Sequence, residues 1–230
     1  MNNSPTTNVA AIAEAAVEMI QDGFVVGLGS GRAATAFVEA LGKRVQQGLR
    51  VRGVATSQAT SDLARRCAIP LATLDEIEAI DITVDGADEV DPQLDLIKGW
   101  GGAFVREKIV AAASGRLVIL VGSEKLVPIL GTRGKLPVEV VRFGIYPCRR
   151  RLAELGLVSI PRKAGGELFV TDNDNHILDC QVSEISNPVE LEALFCSIPG
   201  VVGTGLFLGM ADTVLVQDGE QVQIRRRSQS

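Results

Sequence analysis

One histidine in 230 residues, His176, excludes more chemistry than any other feature of this chain. Histidine-rich metal sites are out, and little room is left for a Ser-His-Asp triad. The four cysteines, Cys67, Cys148, Cys180 and Cys196, form no C-x-x-C pair and read as reduced thiols of a cytosolic protein, two of them in the core. No run approaches the ~18 apolar residues of a membrane-spanning helix. The first twenty residues have neither the basic flank nor the apolar stretch of a signal peptide, so the expected location is cytoplasmic. A basic excess is also missing. The net charge is −5, which argues against a nucleic-acid partner and leaves any anionic substrate to local donors and cations.

What remains is an ordinary globular composition, 46% hydrophobic and 22% charged, enough for one large domain or two small ones. An amphipathic stripe over 9–20 is followed by a strand at 24–26 and a helix over about 33–45. Strands at 49–55, 80–84 and 116–121 alternate with helices at 57–67 and 103–113. That β-α alternation predicts an α/β fold, a parallel sheet with helices on both faces. After about Gly131 the pattern changes to a strand at 136–140, a helix at 148–155, a hairpin of 167–171 with 177–182, and a helix at 188–197. Asn187 should cap that last helix, with Pro188 at its first position. Runs at 211–216 and 222–224 look like strands returning to the first sheet. The expected division is therefore residues 1–130 plus about 206–230 in one domain, and about 131–205 in a small α+β domain. The ends, 1–7 and 228–230, read as loose.

The stretch Asp81–Lys108 carries the chemistry. Ile82-Thr83-Val84 is a buried strand, and Asp85-Gly86-Ala87-Asp88-Glu89 follows at its carboxyl end, where α/β sheets bind ligands. Lys98 then opens the glycine-rich Gly99-Trp100-Gly101-Gly102, and Glu107 sits one turn into the next helix. Chemistry beside a carbonyl needs these parts: a carboxylate base, a cation for a developing oxyanion, and further acids to move protons between oxygens. Taken singly, each has a bland reading, since acids cap helices and Arg106-Glu107-Lys108 also fits a solvated helix face.

Gly27-Leu28-Gly29-Ser30-Gly31 joins a strand to a helix, a natural anion site. A dinucleotide loop would need glycine at position 32, which is Arg32, and an acid ~20 residues on, where Thr56-Ser57 stand. No P-loop pattern is present. A monophosphate fits better.

These motifs, with Leu136-Pro137-Val138-Glu139-Val140, Val170-Thr171-Asp172-Asn173 and Ile198-Pro199-Gly200-Val201-Val202, resemble the ribose-5-phosphate isomerase A family. They run in the family's order over nearly the whole chain. The resemblance implies a Rossmann-like catalytic domain, a ferredoxin-like smaller one, and aldose–ketose isomerisation of D-ribose 5-phosphate and D-ribulose 5-phosphate in the pentose phosphate pathway. It implies no cofactor and no metal, no membrane or nucleic-acid partner, and a homodimer or homotetramer. Glu107 would be the base, Lys98 the oxyanion cation, and Asp85 and Asp88 the acids for hydroxyl protons and ring opening. Ser30, Gly31, Arg32, Ala33, Gly86, Ala87, Gly99, Trp100, Gly101 and Lys125 match the family's substrate-binding positions.

Two departures stand out. The family usually has hydroxyl residues where this chain has Arg32 and Ala33. Arg32 either replaces them with a fork of charged donors or is a solvated residue of the first helical turn. Trp100 stands where the lysine loop usually has glycine, so either the loop uses negative φ there or the indole borders the pocket. Both leave open an isomerase of another sugar phosphate or of a free sugar, and a non-catalytic sugar-phosphate sensor.

Overall fold

The computed structural model describes residues 9–228; the expected loose residues 1–7 and 229–230 lie outside that range. Its centre is a six-stranded sheet in the order Gln221–Arg226, Thr213–Asp218, Leu117–Gly122, Ile82–Gly86, Val25–Leu28, Arg52–Ala55. Five strands are parallel and the Gln221–Arg226 edge is antiparallel. The inner strands Val25–Leu28 and Leu117–Gly122 are apolar and buried throughout because helices cover both faces. In the Gly31–Gln46 helix, Ala34, Phe37, Val38 and Leu41 are buried, a stripe of helical spacing facing the sheet. The Gln58–Arg66 helix starts at Ser57, whose side chain accepts from the Thr60 N–H.

The chain order reverses around Val25–Leu28. The next strand, Arg52–Ala55, pairs on one side of it and Ile82–Gly86 on the other. A crevice opens outside the carboxyl ends of strands at such a switch point. Gly29-Ser30 and Asp85-Gly86 both lie there.

A second sheet has the order Val201–Thr204, Lys135–Val140, His176–Gln181, Ser159–Pro161, antiparallel throughout. With the Ile145–Glu154 and Pro188–Cys196 helices this is a βαββαβ, ferredoxin-like arrangement. Its core contains Leu136, Val138, Leu152, Phe195 and the two buried cysteines, Cys148 and Cys180. Asn187 accepts from the Glu190 N–H, with Pro188 following, as the sequence predicts. A three-stranded sheet of Glu89–Val90, Leu96–Ile97 and Leu206–Phe207 brings Lys98 toward the first sheet.

The expected hairpin of 167–171 with 177–182 does not form. Glu167–Leu168 turns back on Lys163–Ala164 through Gly165-Gly166, both at positive φ, as a two-residue hairpin turn prefers. His176–Gln181 pairs instead with 135–140 and 159–161. Residues 171–175 form a turn gathered on the buried Glu139. No helix among the described residues is long and apolar enough to cross a membrane.

Candidate active site

Three strand ends and one helix build the site. Asp85 is the fourth residue of its strand and its carboxylate lies against Gly29, where an added Cβ would come within 2.2 Å of Oδ1. Glycine at 29 therefore makes the seat for that carboxylate. Asp85 Oδ1 accepts from the Ser30 N–H at 3.0 Å and the Gly86 N–H at 2.7 Å. Lys98 leaves the small sheet with its own N–H on Gly205 O at 2.8 Å. Its Nζ lies 3.0 Å from Asp85 Oδ2 and 3.1 Å from Glu107 Oε2, and also donates to Gly86 O. Glu107 is held in the Phe104–Ala112 helix, and its Oε1 accepts from the Ser30 hydroxyl.

The result is one cation between two carboxylates, with side chains only 4%, 2% and 5% exposed for Lys98, Asp85 and Glu107. Burial, then the Glu107 charge, push the Asp85 carboxyl up to about 7, against the pull of Lys98 and the Gly86 N–H. Burial works to lower the Lys98 pKa, but the two carboxylates outweigh it and hold the ammonium above the usual lysine value. A site that keeps an acid near neutrality beside an ionised partner can give and take protons.

Lys98 and Glu107 line the floor of a cleft of ≈ 350 Å³, and Asp85 meets Lys98 just outside that lining. Asp88 stands at its wall, its carboxyl raised by burial and its Oδ2 accepting the Trp100 N–H at 3.0 Å. Ser30, Gly31, Arg32 and Ala33 line one side, Gly86, Ala87, Gly99 and Gly101 another, and Lys125 reaches in beyond the Leu117–Gly122 strand. Arg32 is exposed, and its side chain makes no hydrogen bond or ion pair among the described residues. His176 is elsewhere, with Nδ1 2.8 Å from Phe169 O. Among the described residues no group of three or more His, Cys, Asp or Glu is placed to hold a metal ion.

The family model described as ribose 5-phosphate isomerase A (phosphoriboisomerase A) matches residues 52–221. Ribose-5-phosphate isomerase A of Gloeobacter violaceus is 50% identical, covering 92% of this chain and 93% of its own. That of Bradyrhizobium diazoefficiens is 48% identical over 92% of each. The chain belongs to the ribose-5-phosphate isomerase A family. The solved ribose 5-phosphate isomerase A of Methanocaldococcus jannaschii superposes with a TM-score of 0.90 at 39% identity, covering 95% of this chain and 97% of that one. A D-ribose-5-phosphate isomerase in complex with phospho-erythronic acid gives 0.91 at 36% identity, covering 99% and 100%. The chain is thus an α/β isomerase.

Within this isomerase frame, Trp100 is the one substrate-position residue that does not line the cleft. Its φ is not positive; Gly99 and Gly102, at +105° and +96°, carry the turn instead. The loop accepts a tryptophan because the strained positions flank it.

Several contributors escaped sequence reasoning. Arg106, beside Glu107, donates to Asn173 Oδ1 at 2.7 Å and to Asp172 O. Lys108, on the other side, meets Glu192 at 2.8 Å. The segment that also fits a solvated helix face is therefore tied down on both sides of Glu107. Buried Glu89 accepts the Gly131 and Arg133 N–H groups at 2.6 and 2.8 Å, fixing the loop beside Trp100. The hint in the sequence was an acid entering a buried strand, next to residues already marked as candidates.

Proposed function

We propose that this protein interconverts D-ribose 5-phosphate and D-ribulose 5-phosphate through an enediolate, as a cytoplasmic enzyme of the non-oxidative pentose phosphate pathway. The observation that carries the proposal is Glu107 Oε2 at 3.1 Å from a buried lysine, on the floor of a cleft with cations at its mouth. In the open-chain aldose, Glu107 removes the proton from C2 and returns it to C1. The charge that builds on the C1 and C2 oxygens rests against the Lys98 ammonium and nearby loop amides. The hydroxyl proton moving from O2 to O1 needs a group that both holds and releases a proton. Asp85, raised to about 7, suits that task, and Asp88 at the cleft wall suits ring opening. Arg32 and Lys125, with the Gly31 amide, would take the phosphate. A phosphorylated sugar acid, phospho-erythronic acid, is bound by a structural relative named as a D-ribose-5-phosphate isomerase, in keeping with a sugar-phosphate ligand here.

Residues 1–130 with about 206–230 would form the catalytic domain and about 131–205 the smaller one. A homodimer or homotetramer is the expected assembly by family, with no nucleic acid or membrane partner.

The test is ribulose 5-phosphate formation from ribose 5-phosphate by the purified protein in EDTA, with Glu107→Gln alongside. Activity in the wild type and almost none in a folded variant is the expected result. Silence in both would sink the reading and turn attention to other sugar phosphates and to sensing.

A further inference from the structure

Trp100 neither lines the cleft nor bends its loop, yet its indole is the most cation-crowded ring among the described residues. The ring is tied to the Lys135–Val140 strand, with Nε1 donating to Lys135 O at 3.3 Å. Around its centre stand Lys135 Nζ at 4.8 Å, the Arg133 guanidinium at 5.1 Å and Lys125 Nζ at 5.5 Å. All three fall within the ~6 Å over which the negative face of an indole attracts a cation.

Of the three, only Lys125 also lines the cleft. It is half-buried and has no ion pair within 4 Å among the described residues. The charges of Asp88 and Glu124 favour its protonated form, and those of Arg133 and Arg32 oppose it. Burial, then Arg133, act to lower its pKa. An unsupported lysine in that setting gains by swinging into solvent, and a bound anion would then have to order it again.

We propose that Trp100 is a positioning residue for the phosphate end of the cleft: its ring holds the Lys125 ammonium at the wall that Arg32 shares, before substrate arrives. The inference rests on the sugar-phosphate reading of the cleft. It makes the tryptophan a determinant of affinity for the phosphate group, without contact to the reacting carbons.

Trp100→Leu keeps the N–H that binds Asp88 but removes the π face, and Trp100→Phe restores most of that face. In the leucine variant, KM for ribose 5-phosphate and the inhibition constant of inorganic phosphate should rise together by about 3- to 10-fold, with kcat within twofold. The phenylalanine variant should recover most of both. A fall in kcat with the phosphate constant unchanged would place the ring in support of the Lys98 loop and overturn the proposal, and so would unchanged values throughout.

Calorimetry with inorganic phosphate separates this from the isomerase reading. If the wild type fails to turn over ribose 5-phosphate, weaker phosphate binding by the leucine variant still sustains the platform, and equal binding removes it. Trp100 is the only tryptophan, so the wild type alone gives a further check. Inorganic phosphate should shift its emission as the anion pairs with the Lys125 ammonium held over the ring, and an unmoved spectrum at saturation would overturn the proposal.

Discussion

Two buried glutamates in this molecule are put to opposite uses. Glu107 is 4% exposed, meets a lysine, and lies on a cleft floor. Glu139 is fully buried, and its Oε1 takes the Thr171 hydroxyl at 3.1 Å and the Asn173 and Asn175 amides at 3.1 and 2.9 Å. Its Oε2 has no partner among the described residues. Fixed neutral donors make a carboxylate into a staple for a turn. A buried cation that also binds a second carboxylate makes it half of a proton-exchange site. Burial alone therefore does not mark a catalytic acid; the partner and the access do.

Substituting at the two sites should separate these uses. Glu107→Gln keeps the shape and the Ser30 contact but removes the base, so kcat should fall by about 10²–10⁴-fold with KM little changed. Steady-state kinetics decides this, and wild-type turnover would end the assignment. Lys98→Met leaves Asp85 and Glu107 facing each other with no cation. It should lose roughly 10²–10³-fold in kcat and, as a broken buried pair, about 3–5 kcal/mol of stability. Denaturation run beside the kinetics would show both losses, and a variant as stable as wild type would mean that the acids were already protonated.

The same contrast explains what could be read from the sequence. Asp85, Lys98 and Glu107 fall within one short stretch, so their chemistry was visible before any fold was known. The parallel sheet was visible too, because apolar runs and helical stripes alternate regularly. The Glu139 staple was not: its partners lie 32 to 36 residues downstream, and hydroxyl and amide residues in a turn carry no sign of what they bind. The same turn misled the hairpin assignment, because Gly165-Gly166 was the true reversal. Arg106 and Lys108 looked like solvent-facing charges because their partners, Asn173 and Glu192, come from the other sheet's side of the chain.

A smaller effect sharpens the comparison through pH. An acid whose pKa is raised in the folded state binds its proton more firmly there than in the unfolded chain. The stability from Asp85 is therefore fullest below the unfolded value of 3.8 and is lost as pH rises toward about 7. Asp85→Asn removes that titration. Stability relative to wild type should shift in favour of the variant between pH 4 and pH 7 and then level off. Urea midpoints for both proteins across that range are the measurement, and a constant difference would mean that Asp85 does not titrate there.

The smallest expected effect on turnover is at Glu139. In Glu139→Gln the remaining carbonyl oxygen can still receive Thr171 and one asparagine, but the new amide puts two donors where none was needed. Weaker acceptance by a neutral oxygen and an unmatched NH₂ should together cost about 1–3 kcal/mol of stability. The cost should stay local to the turn if Arg106 keeps its hold on Asn173 and Asp172, because those contacts, with Lys108–Glu192, orient the Glu107 helix. Turnover of ribose 5-phosphate should then remain within about twofold of wild type at a temperature where the variant is folded. A tenfold loss of kcat without unfolding would show that the two glutamates are coupled through the 171–175 turn, and that the staple helps to aim the base.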